Sequence, residues 1–127
     1  MRRLLLNPPR RLLLGLWCLG WLVVAFGMLS PDPGLPASVD DKLAHALGFG
    51  LVTLAAASFA TGPRAMLGIS ALTFLLSALF ETCQLFVPGR MFDPADLVAN
   101  ASGIVIGCAT GLLWLRRVLP ALARAIA

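Results

Sequence analysis

Residues 81–103 read ETCQLFVPGRMFDPADLVANASG. The stretch sits between two long apolar runs. Between the two it gathers Glu81, Gln84, Arg90, Asp93, Asp96 and Asn100. If the flanks are helices of a soluble domain, these are ordinary loop residues. If the flanks cross a bilayer, the same residues lie at or below its rim, where ionisable groups are costly and usually functional.

Composition favours the bilayer. Of 127 residues, 59% are hydrophobic and 13% charged, against about 45–50% and about 25% in soluble domains. The mean hydropathy is +0.90. Four apolar runs stand out: Leu12–Leu29, Leu43–Ala60, Ala65–Val87 and Leu97–Leu115. Each is near the ~20 residues that carry a helix across ~30 Å of hydrocarbon. They do not alternate as barrel strands would, and their internal Gly and Pro are tolerated in membrane helices. The expected fold is all-α, a polytopic membrane protein with four transmembrane helices in one compact bundle spanning 1–127. The first run, with its flanking arginines, has the outline of a signal peptide. No A-x-A cleavage site follows in GMLSPDPGLPASVD, so retention is expected. Cys18, Cys83 and Cys108 all fall inside the runs and read as small hydrophobes.

Lys and Arg in short loops set the orientation of such a bundle. Arg2, Arg3, Arg10, Arg11, Arg64, Arg116, Arg117 and Arg124 fall on one side, and only Lys42 and Arg90 on the other. Both termini are therefore expected in the cytoplasm, with all six acids at or near the outer face. Topology accounts for the net charge of +4, and nucleic acid is not expected as a partner. Trp114 suits the inner aromatic belt, and the tail RRVLPALARAIA is expected to lie along the inner membrane surface.

Three polar stripes converge on one depth. Asp41 and His45, four apart, share a helix face, with His45 about 6 Å further in; Asp41 alone would read as an N-cap. Ser70, Thr73, Ser77, Glu81 and Gln84 fall on one arc at ~100° per residue. Hydroxyls and small residues that join membrane helices explain the first three but not Glu81. Asp93, Asp96, Asn100, Gly103, Gly107 and Gly111 share a third face. There Asp93–Pro94 reads as an N-cap followed by a first-turn proline, and the glycines invite a close helix neighbour. His45, Glu81 and Asn100 should then form one layer under the outer surface, roofed by Lys42, Gln84, Arg90, Asp93 and Asp96.

The motifs DKLAH (Asp41, Lys42, His45), E-x-x-Q-x-x-x-P-x-R (Glu81, Gln84, Pro88, Arg90) and D-x-x-D-x-x-x-N-x-x-G (Asp93, Asp96, Asn100, Gly103) occur in that order. Together they resemble the VanZ-like family over most of residues 40–107. The resemblance implies a small multi-pass protein of the bacterial inner membrane, in a setting of teicoplanin-type glycopeptide resistance, and names no reaction.

The polar layer itself suggests an outward pocket for a lipid-linked or anionic headgroup ligand of the cell envelope. Lys42 and Arg90 suit phosphate or carboxylate, with Gln84 and Asn100 as further binding candidates. His45 with Asp41, or Glu81, is a candidate general base, and Asp93 and Asp96 complete the catalytic candidates. No nucleophile stands out, so whether a reaction occurs is left open. No cofactor and no metal is assigned; one histidine among carboxylates suits Mg2+ or Mn2+ better than structural zinc. Two other classes compete: a transporter or flippase-like subunit, for which four helices are few, and a structural protein whose polar layer only packs helices. The oligomeric state is open.

Overall fold

The computed structural model describes residues 9–32, 40–118 and 120. Arg2, Arg3, Arg124, Pro36 and the tail beyond Pro120 lie outside the described residues. The described chain is helical: α1 (Arg10–Leu29), α2 (Asp41–Ala55), α3 (Pro63–Cys83) and α4 (Pro94–Leu113). Short 3-10 turns follow α2 (Ala56–Ser58) and α3 (Gln84–Phe86), and a π turn follows α4 (Trp114–Val118). No strand occurs among the described residues.

Three helical stretches, Arg10–Leu29, Pro63–Phe86 and Pro94–Arg117, are long and apolar enough to cross a membrane. The second expected span is different. The run at 43–60 yields an α-helix of 15 residues, about 22 Å at 1.5 Å per residue. Its end is set at Ala56, whose N–H bonds Thr53 O rather than the carbonyl four residues back. That switch tightens the last turn to 3-10 and frees Val52 O, which accepts from the Trp17 indole of α1 at 3.0 Å.

Helix starts follow local chemistry. Asp40, not Asp41, caps α2, its carboxylate accepting from Leu43 N at 3.1 Å. Asp41 is then the first helical residue. Asp93 caps α4 by accepting from Ala95 N at 2.8 Å, with Pro94 next, where its missing N–H costs nothing.

α2 and α4 share the most extensive packing. They run parallel, because successive partners advance along both: Lys42 with Asp96, His45 with Asn100, then Gly103 against Ala46 and Gly107 against Gly50. A Cβ on Gly103 would collide with the Ala46 carbonyl, and one on Gly107 with that of Gly50. These are backbone atoms that cannot turn aside, so only glycine permits the approach. α3 presents Met66, Ser70, Thr73, Ser77 and Glu81 as its buried face. Its hydroxyls at Ser70 and Ser77 bond carbonyls of their own helix (Met66 O, 2.9 Å; Phe74 O, 2.8 Å) and serve as small packing residues.

α1 is attached by aromatic contacts. Trp17 meets Phe59 edge-on at 5.3 Å, and Trp21 lies against Phe49 and Phe80 at 6.1 and 6.2 Å. Met28 alone of α1 is buried, while Leu22, Val23 and Phe26 are about two-thirds exposed, as lipid-facing residues would be. Two apolar clusters fill the bundle, one around Met28, Phe49 and Ile104 and one around Ala56, Ala57, Met66 and Cys108. The starts of α1 and α3 and the end of α4 make one basic end, with Arg10, Arg11, Arg64, Arg116 and Arg117; the starts of α2 and α4 make the opposite, acidic end.

Candidate functional site

Below the acidic end, three helices each contribute one wholly or nearly buried polar side chain. His45 lies one turn into α2, Asn100 in the second turn of α4, and Glu81 in the last turn of α3. The His45 Nδ1 is 3.1 Å from Asn100 Oδ1 and 3.2 Å from Glu81 Oε1. Asn100 Nδ2 donates to the same Glu81 oxygen at 3.2 Å. Both groups facing Nδ1 are acceptors, so the network places a ring proton on Nδ1. Glu81 Oε2 is buried without a hydrogen-bond partner.

Above this triangle, Lys42 Nζ donates to Asp93 Oδ2 and Asp96 Oδ1, both at 3.0 Å. The Asp93 and then the Asp96 hydrogen bonds hold the Lys42 ammonium above its ordinary pKa. Asp93 is held below its own ordinary value, first by the Ala95 N–H it caps and then by Lys42. Asp41 sits beside the triangle, its Oδ2 3.8 Å from His45 Nε2 and its Oδ1 3.9 Å from Arg90 Nη1. These are charge contacts, longer than hydrogen bonds.

The structure thus brings His45, Glu81, Asn100, Asp41, Asp96, Lys42 and Asp93 together. Gln84 and Arg90 are placed differently. Gln84 donates to Met28 O at 3.0 Å; Arg90 donates to Ser30 O at 3.1 Å and Gly27 O at 2.9 Å. Both side chains cap the last carbonyls of α1, which a helix leaves without partners. A cation at that terminus also suits the helix dipole. Their position is accounted for without a ligand. Cys83 makes none of these contacts.

A cleft of about 190 Å3 opens between α1 and α2. Val23, Val24 and Gly27 form one wall, and Ala44, Gly48 and Phe49 the other; Asp41, His45 and Arg90 furnish its polar lining. Reading residue types along the sequence missed this cleft, because α1 contributes to it with apolar side chains and carbonyls only. Gly27 and Gly48, small residues on its two walls, were the available signal.

No curated protein and no solved structure matches the chain. One family's sequence model, described as VanZ/LLP1, matches residues 38–116, a region that contains every polar residue of the cluster and excludes α1.

Proposed function

The chain belongs to the VanZ-like (VanZ/LLP1) family, and from that premise we propose that it is a bacterial inner-membrane protein that holds a lipid-linked or anionic headgroup ligand in a pocket open to the outer face. The observation that carries this reading is the α1–α2 cleft, whose apolar walls suit a hydrocarbon tail and whose polar lining of His45, Asp41 and Arg90 suits a headgroup. The orientation rests on charge. The basic end faces the cytoplasm by the positive-inside rule, so the acidic end is external and α2 crosses as the fourth span. His45, which lines the cleft, is the group able to hold or move a proton at the bound headgroup, with Glu81 behind its Nδ1. Among the described residues no activated nucleophile stands beside them, which favours binding over covalent chemistry. Tolerance of teicoplanin-type glycopeptides is the setting that family membership suggests.

A structural role is the second reading, and one observation favours it: Gln84 and Arg90 are occupied with α1 carbonyls. The experiment separating the two fills the cleft. A Cβ on Gly48 would meet Val24 at an ordinary 3.6 Å, so Gly48→Ala should fold normally. Gly48→Leu projects into the tail space. Purified protein in nanodiscs containing a photoreactive anionic phospholipid should lose labelling about tenfold in Gly48→Leu, equal to ~1.4 kcal/mol, with unchanged thermal stability. Undiminished labelling would defeat the binding reading and leave the structural one.

A further inference from the structure

We propose that Asp41, His45 and Asp96 form a divalent-cation site of the Mn2+ type. One ligand atom from each, an oxygen, a ring nitrogen and an oxygen, lie within 4.8 Å of one another. Ligand atoms around an octahedral ion at about 2.1 Å stand roughly 3 to 4 Å apart, so only small side-chain adjustments are required.

Acid clusters alone do not make a metal site, and the histidine supplies the separate argument. Its side chain is 5% exposed. With Nδ1 engaged by Asn100 and Glu81, Nε2 faces Asp41 Oδ2 at 3.8 Å, beyond hydrogen-bond distance. Two carboxylates thus face the two nitrogens of one buried ring, and the half-exposed Asp41 leaves the Nε2 side open to an ion. A ring nitrogen donating to a carboxylate while the other ring nitrogen faces a cluster of oxygens is the usual arrangement of a metal-ligating histidine. Glu81, wholly buried and facing Nδ1, is then the orienting carboxylate.

The fixed cations near the cluster leave room for this charge. Lys42 takes Asp96 Oδ1 and Asp93, leaving the second oxygen of Asp96. Arg90 is spent on α1 carbonyls and stands 3.9 Å from Asp41. One nitrogen and two carboxylates suit Mn2+ or Mg2+, with remaining positions open to water or to an anionic ligand. The assignment does not depend on the headgroup reading, since the ion can be measured with no lipid ligand present.

The test uses the full chain in detergent, free of any histidine tag, titrated with Mn2+ and followed by the EPR signal of free ion. One ion per chain should bind. Asp41→Asn should weaken binding by at least about tenfold and Glu81→Gln by about 10–100-fold, whereas Asp40→Asn, which retains the α2 cap, should stay within about twofold. Pulsed EPR of the wild-type complex should show a nitrogen coupling. The sequence holds one histidine, so that coupling identifies His45 even if every variant misfolds. The proposal is overturned by no saturable binding below roughly 1 mM Mn2+, by no nitrogen coupling, or by Asp40→Asn weakening binding as much as Asp41→Asn.

Discussion

The Asn100 amide joins the other two members of the triangle, since its oxygen meets His45 and its nitrogen donates to Glu81. Replacing it by Leu would keep the branched shape but strip Glu81 Oε1 of one donor in a wholly buried place. An unsatisfied buried polar group costs about 1–3 kcal/mol, and more for a charge. Asn100→Leu should therefore lower the melting temperature in detergent by several degrees. Glu81→Gln should not, because its amide oxygen still accepts from both neighbours and no ionisable group is then left in a low-dielectric site. A collapse of Glu81→Gln to the level of Asn100→Leu would mean that the negative charge itself holds the helices. This meeting of residues was legible in the sequence, because rise and rotation per residue fix depth and face once the ends of the helices are known. The cap of α2 was less so: two adjacent aspartates offer the same side chain, and only the backbone decides that Asp40 accepts from Leu43 N.

Among the helices, α2 and α4 make the rigid pair, and glycines set their distance. Gly103→Ala drives a methyl into the Ala46 carbonyl, and overpacking of this kind costs about 1–3 kcal/mol. Gly68, in α3, has nothing within 4 Å of its would-be Cβ, so Gly68→Ala should be neutral or stabilise by up to ~1 kcal/mol through helix propensity. Thermal unfolding followed by size-exclusion recovery should separate the two. Equal behaviour would mean that the helices are free to move apart. The glycine face of α4 could be read from its spacing. Two features could not. The shortening of α2 depends on a backbone switch at Ala56, inside a run whose composition stays apolar. The capping by Gln84 and Arg90 is directed at carbonyls, which every residue type carries alike, so their partners on α1 leave no mark in the sequence.

Taken whole, the protein has basic and acidic ends, and its topology can be checked at two turns. Gly89, at φ 80° in the turn before α4, and Gly62, before α3, have open space around them. A phosphatase fused at Gly89 should be active outside the cytoplasm, and a fluorescent protein fused at Gly62 should mature inside. Reversed results would turn the cleft and its acids toward the cytoplasm and put the proposed envelope ligand out of reach. The capping of α1 also has a consequence in time. α1 is made first, yet the side chains that complete its carbonyl end, Gln84 and Arg90, follow their acceptors by 56 to 63 residues. At about 5–20 residues per second of synthesis, α1 waits roughly 3–12 s with that end unfinished. Any factor that attends the nascent chain meets a lone apolar helix with bare carbonyls through that interval, and a stall in translation before Arg90 would prolong it.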